Sequence, residues 1–519
     1  MLYLRYAKII LTNYLSMKKY AMLLAAVGLV AVSCNDHDFD RTPPPPAPPE
    51  PVDYTSGTAD VSNYVSIGNS LTAGFSDGAL FVNGQDASFP NMLATQFKLA
   101  GGGNFNLPYM ADNLGGATLG GQPVLGNRLI LSFATGSPAP TPVDGQGATE
   151  ISNVISGPFN NMGVPGAKSF HLAAPGYGNV QGVPLGLANP YYARMASAPD
   201  ATIIGDALAQ QPTFFTLWIG NNDVLSYATA GGDGEDHNET NNIDPSTYGG
   251  NDLTNINVFN NVYNQYIQGL MAGGAKGVLA NVPDVTTIPF FTTVPHNPVP
   301  LDEATATLLN GAYAAYNGGL AQLAGLGMIS QEELAKRTIS FAAGANNAVV
   351  ILDEDLTDLT GVNPALVNMR QATADDLLVF TAQTIIGTLA DPNNPTSING
   401  VAIPLADKWV LTPEEQDAIA NATDLLNESI DNFGAQYDLP VVDANAYLKV
   451  VATTGIPMRD GTTVTATYAT GGAFSLDGVH PSPRGYALLA NLFLDAINAK
   501  HGSNFPHVDP LAYTGLYLQ

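Results

Sequence analysis

The chain has 519 residues, 45% of them hydrophobic, and its 18 Lys+Arg against 45 Asp+Glu give a formal net charge of −27. That apolar share builds a large core and excludes an intrinsically disordered chain, while the acidity excludes nucleic-acid binding, which needs a basic footprint. A single cysteine excludes any intrachain disulfide.

In chain order, residues 1–33 carry Arg5, Lys8, Lys18 and Lys19 with no acidic residue, and residues 21–33 (AMLLAAVGLVAVS) are all apolar or small. A basic start, a short apolar run and a small-residue end predict a secretory signal peptide. The run falls short of the about 20 residues that cross a bilayer. Met17, ahead of Lys18-Lys19, is a more ordinary start than Met1. Cys34 follows Ala31-Val32-Ser33 in the manner of a lipobox. It is expected to be acylated with palmitate-type chains, which makes the mature protein an exported bacterial lipoprotein of the outer membrane or cell surface. Asn35-Asp36-His37-Asp38-Phe39-Asp40 resembles the surface-export signals of Bacteroidota lipoproteins. Seven prolines in residues 41–53 impose extended polyproline II, about 3.1 Å per residue. Residues 34–56 therefore read as a lipidated N-terminus and semi-rigid tether.

The folded part is expected over residues 57–500, with a tail at 501–519. Apolar strands are predicted at 63–68 (NYVSIG), 212–220 (PTFFTLWIG), 275–283 (AKGVLANVP) and 439–445 (LPVVDAN). Helical patterns fill 200–210, 252–271, 303–324 and 412–435. The last opens with Thr412 as N-cap and Pro413 at the first helical position. Ser482-Pro483 opens a further helix through about residue 499. Strands alternating with helices predict an α/β fold with a mainly parallel sheet covered on both faces. Residues 100–157, rich in Gly, Pro and Asn, read as a long loop. Residues 325–410 hold a strand-like run at 348–352 and an apolar helical stretch at 374–389. Both segments are expected as insertions at the rim of the site.

Ligands of open parallel sheets bind beyond the carboxyl ends of the strands, so the residues following each strand carry the chemistry. Gly68-Asn69-Ser70-Leu71 follows the first strand, and Gly220-Asn221-Asn222-Asp223 follows the strand at 212–220. Asn161-Met162-Gly163-Val164-Pro165-Gly166 lies between them, and Asp477-Gly478-Val479-His480 precedes the final helix. Any one of these is common as a turn or a helix cap. Together and in this order they resemble the SGNH/GDSL hydrolase family, over residues 68 to 480. SFPNMLATQF (88–97) is similar to the helix that follows the family's nucleophile segment.

The resemblance implies a three-layer α/β/α sandwich with a flavodoxin-like sheet, and a serine esterase or lipase. It makes Ser70 the nucleophile, His480 the base and Asp477 its partner. It makes the Ser70 and Gly166 N–H groups and the Asn222 amide the oxyanion hole. Asn69 departs from the Asp usual in the family; that position lies outside the triad, so activity is expected to persist with the nucleophile turn held differently. The chemistry fits the residue types. A serine hydroxyl needs a base to take its proton, imidazole titrates near neutrality, a carboxylate fixes its tautomer, and convergent N–H groups stabilise the oxyanion.

The other histidines lack this context. His37 lies in the tether, and His171, His296, His501 and His507 have no Asp three residues before them. His237 sits in the acidic stretch 233–242, which fits no EF-hand spacing, so no metal and no cofactor is expected. Phe214, Phe215 and Trp218 read as core. The expected substrate is a small-molecule or carbohydrate ester with a short acyl group, because residues 100–157 offer no contiguous apolar groove. The alternatives are a lipase or phospholipase on long-chain esters, and a non-catalytic glycan-binding lipoprotein. Membrane contact is expected through the lipid anchor alone.

Overall fold

Five short strands form one sheet: β1 (Tyr64–Gly68), β2 (Asn161–Gly163), β3 (Phe214–Trp218), β4 (Lys276–Ala280) and β5 (Val441–Val442). Their order is β5-β4-β3-β1-β2 and every neighbouring pair is parallel. Register runs Tyr64 opposite Phe214 to Gly68 opposite Trp218, so β1 and β3 end level with one another. Both are buried along their whole length, as continuous apolar runs are when a parallel sheet is covered on both faces. The computed structural model describes residues 52–133 and 139–518. The expected export signal, Cys34, His37 and nearly all of the expected tether lie outside the described residues. Among the described residues, no helix is long and apolar enough to cross a membrane.

Alternate strand residues feed two cores, as a period of two requires. Val65, Ile67, Phe215, Leu217 and Leu279 join one core. It also takes residues of α3 (Ile203–Leu208), α5 (Ile256–Met271) and α7 (Pro413–Tyr437). Tyr64, Phe214, Trp218, Val278 and Ala280 join the other, with α2 (Phe89–Phe97) and α9 (Pro483–His501). Phe89 and Phe493 stack at 4.6 Å there, and Trp218 meets both rings. Ser66 and Tyr64 share the Thr216 hydroxyl at 2.7 and 2.9 Å, which satisfies the polar atoms inside these strands. The expected tail is folded onto this core: Phe505 and Val508 are buried in it. Tyr517 holds the Arg128 guanidinium, which also lies over Phe81.

Helices appear where caps and periodicity place them. Thr412 and Glu415 form a reciprocal capping box with Pro413 inside it. Three expectations need correction. The helix at 303–324 is present as α6 (Glu303–Gly325), but it does not lie among the helices of the sheet. Its Leu309, Tyr313, Tyr316 and Leu320 pack with Val350, Ile351, Leu378 and Val401 in a third core. The stretch 374–389 is not helical. Leu377–Leu378 pairs with Val410–Leu411, and a single 3-10 turn follows at Phe380–Thr384. Asp376 accepts from Thr373 N–H and from Arg370, which pins a turn just before the pair. Strand pairing then overrides the helical periodicity. The described residues of 100–157 hold more pairing than a loop. Ala117–Leu119 and Gln122–Leu125 form a hairpin across Gly120-Gly121, both at positive φ (60° and 79°), the turn that glycine pairs favour.

Candidate active site

The order of the sheet reverses direction between β1 and β3, since β1 continues to β2 on one side and β3 to β4 on the other. A crevice opens at such a switch point beyond the carboxyl ends. Two of the expected blocks end there. Asn69 caps the short helix α1 (Ser70–Ala73), accepting from Leu71 N–H at 3.1 Å, and its Nδ2 donates to Asn221 Oδ1 at 3.0 Å. The neutral Asn69 therefore ties the end of β1 to the end of β3. Ser70 follows as the first residue of α1, whose N–H groups helix geometry leaves without intrahelical partners. Asn221 and Asn222 open α4 (Asn221–Thr229) immediately after β3.

His480 and Asp477 come from the loop before α9. His480 Nε2 lies 2.9 Å from Ser70 Oγ, and His480 Nδ1 lies 2.9 Å from Asp477 Oδ2. The side chains of His480 and Asp477 are each 14% exposed. Asp477 is heavily solvated by the protein: Oδ1 accepts from His480 N–H (2.8 Å), Val479 N–H (2.9 Å) and Ser475 Oγ (3.1 Å). Gly78 N–H donates to its Oδ2 at 2.9 Å. Burial works against its charge, but the His480 charge and the hydrogen bonds from His480 and Val479 prevail and hold the carboxyl down at about 2. The carboxylate thus stays ionised and keeps the proton on Nδ1, leaving Nε2 to accept from Ser70. The Phe75 ring packs 4.6 Å from the imidazole and limits its movement.

The turn after β2 completes the constellation. Val164 N–H bonds Gly68 carbonyl at 3.0 Å, which lays residues 164–166 beside the Ser70 turn. Gly166 has φ +80°, a conformation that a side chain would strain. Asn222 Nδ2 donates to Ala167 carbonyl at 2.9 Å, and Asn189 Nδ2 donates to Pro165 carbonyl at 2.8 Å, so two amides grip the turn. Buried Asp223 accepts from Ser169 N–H and Oγ at 2.8 and 2.6 Å. Every residue expected at the site is thereby drawn to one end of the sheet.

Four of the competing histidines are occupied elsewhere. Buried His237 binds Asp252 at 2.7 Å and stacks on Tyr248. His501 pairs with Thr58, His507 with Asp495, and His171 accepts from Lys168 N–H. Phe214 and Phe215 are core, and so is Trp218, whose Nε1 donates to Asn281 carbonyl at 3.0 Å.

Sequence reasoning missed two features. One is the clamp on Asp477. Asp77 N–H donates to Ser475 Oγ at 2.9 Å, and Asp77 Oδ1 accepts from Leu476 N–H at 2.9 Å. The Asp77-Gly78 turn signal seven residues after Ser70 pointed to it. The other is an open apolar cleft beside Ser70, His480 and Asn222. Leu225 of α4, Val285 and Ile288 after β4, Leu448 and Val451 of α8 (Ala444–Thr453) and Leu488 of α9 line it. Nothing in the local sequence marks these apolar positions off from ordinary core. No family model, curated protein or solved structure matches this chain.

Proposed function

We propose that this chain is a serine esterase of the SGNH/GDSL type, with a three-layer α/β/α, flavodoxin-like architecture. The observation that carries the reading is the chain of contacts from Ser70 Oγ to His480 to Asp477, at 2.9 Å and 2.9 Å, at the switch point of a parallel sheet. Strand order 2-1-3-4-5 supports the flavodoxin-like part. Ser70 attacks the ester carbonyl while His480 Nε2 takes its proton, and Asp477 stabilises the imidazolium. Negative charge gathers on the carbonyl oxygen against the Ser70 and Gly166 N–H groups and the Asn222 amide. His480 then protonates the departing alcohol, and water attacks the acyl-enzyme by the same route in reverse.

The pocket favours an apolar acyl group over the short one expected from the sequence. An open cleft with almost wholly hydrocarbon walls suits an apolar chain of medium length laid along it. A fluorophosphonate probe tests the class. Native protein labels at Ser70, while Ser70→Ala and heat-unfolded protein do not. Failure of the native protein to label favours a silent binding protein instead.

Export and anchoring through Cys34 belong to the same proposal and rest on the N-terminal sequence. Mass spectrometry of the mature N-terminus should find an acylated cysteine, and Cys34→Ser should leave the membrane fraction or accumulate as precursor. An unacylated wild-type N-terminus removes the anchor.

A further inference from the structure

Far from Ser70 in sequence, three carboxylates converge. Glu354, Asp407 and Glu415 each offer an oxygen, and these oxygens lie within 4.8 Å of one another. Glu354 follows the strand Val350–Leu352, and Asp407 precedes Val410–Leu411, so both come from the segment built around the third core. Glu415 stands in the first turn of α7, whose Ile419, Ala422 and Leu426 pack in the core beneath the sheet.

Glu415 is only 4% exposed. Its Oε2 serves the capping box, taking Thr412 N–H at 2.6 Å and Thr412 Oγ1 at 3.0 Å. Its Oε1 has no hydrogen-bond partner, and neither has Asp407 Oδ1. A capping box needs one carboxylate oxygen. Burying the second beside two more carboxylates is costly unless a cation, or a proton shared among them, offsets it. Of the lysines nearby, Lys336 pairs with Asp353 and Glu414 instead, at 3.4 and 3.6 Å, and Lys408 lies over the Trp409 ring.

The backbone closes tightly over the same oxygen. At Gly232, with φ +84°, a Cβ would lie 1.9 Å from Glu415 Oε1. Only glycine permits this approach. Gly232 lies just past the C-terminal end of α4, the helix whose first turn carries Asn222. Asp233, the next residue, adds its charge to that around Asp407. Burial, and after it the neighbouring carboxylates, push Asp407 and Glu415 above the ordinary carboxylate range.

We propose that Glu354, Asp407 and Glu415 bind a calcium ion that ties this segment to α7 and to the end of α4. The donor set is all oxygen, which selects a hard cation over zinc or copper. Ligands about 2.4 Å from one Ca²⁺ lie no more than about 4.8 Å apart, a spacing these oxygens meet, and a small closing of the side chains leaves positions for water and backbone carbonyls. The ion takes no part in ester cleavage. It is a structural staple, so its removal acts on stability before it acts on turnover.

The test uses the full mature protein, stripped with EDTA and dialysed, in thermal melts and calorimetric titration with CaCl₂ and with MgCl₂. Calcium at roughly 100-fold over its Kd should raise Tm by about 3 °C and bind at one site, with magnesium far weaker. Glu415→Gln keeps the Thr412 cap but removes the charge. It should melt no lower than the stripped wild type and show no calcium increment. Glu354→Gln, on an exposed residue, should weaken calcium at least tenfold while leaving the metal-free melt unchanged. Absence of heat and of a Tm rise in the wild type at millimolar calcium overturns the site. The same increment in both variants overturns it too, and an equal response to magnesium overturns the assignment to calcium.

Discussion

Chain-length preference is the sharpest consequence of the pocket beside Ser70, and Leu225→Trp is the perturbation that isolates it. Leu225 stands on α4 three residues after Asn222, so both side chains share a helix face at the pocket wall. Leu225 is half-buried, so the larger ring can enter the empty space without displacing the fully buried core. Each methylene taken from water contributes about 0.8 kcal/mol. Lengthening butyrate to octanoate adds four, or about 3 kcal/mol if all are buried in the transition state, roughly two orders of magnitude in kcat/KM. The assay is hydrolysis of p-nitrophenyl acetate, butyrate, octanoate and palmitate below their solubility limits. Wild type should rise steeply from acetate to octanoate. Leu225→Trp should flatten that rise to within about fivefold while acetate changes little, because the oxyanion groups are untouched. Leu225→Ala should keep the preference for octanoate. Fastest cleavage of acetate by the wild type would refute the reasoning and restore the short-acyl reading. A chain-length profile unmoved by the tryptophan would place the acyl group elsewhere.

Ser70→Ala and His480→Ala should each lower kcat by roughly 10⁴–10⁶, and Asn222→Ala by about 10²–10³ with little change in KM, read by single-turnover kinetics. Burial, reinforced by the charge of Asp477, pushes the Asp77 carboxyl up to about 7. Its folded value exceeds its unfolded one, so its contribution is whole below about pH 4 and is lost as pH rises through 7. Asp77→Asn should therefore gain on the wild type between pH 5 and pH 8, by up to about 3 kcal/mol in denaturant unfolding; parallel pH profiles would refute this. Asn69→Ala removes the cap of α1 and orphans Asn221 Oδ1. It should cost about 1–3 kcal/mol and reduce kcat. Asn69→Asp should recover both, because the unpartnered Asn221 Nδ2 can turn to meet a carboxylate.

Much of the fold is legible locally. The apolar runs at Tyr64–Gly68, Phe214–Trp218 and Lys276–Ala280 are strands because they are short, branched or aromatic, and bounded by turn residues. α7 begins where Thr412, Pro413 and Glu415 say it must, since a cap acts within four residues of itself. The candidate site was legible because each of its blocks is a strand end or a helix start, and such boundaries carry their own signals. β2, only three residues long, was too short for any period to register. Other features depended on what lies far away along the chain. Ser70 and His480 are 410 residues apart, and only the sheet's switch point brings them to 2.9 Å. The periodicity of α6 announced a helix but could not say which core it would fill, because any apolar face accepts any complementary one. Residues 374–389 were apolar enough for a helix, and pairing with Val410–Leu411 made them otherwise. The pocket is a void, and a void belongs to no residue. Leu225, Val285, Leu448 and Leu488 leave it open because four separate elements stop short of one another. Propensity, capping and turn chemistry are properties of a few consecutive residues, so the sequence alone determined the elements and their ends. Shared volume and the distance between remote side chains are properties of the packed chain, and those the tertiary structure decided.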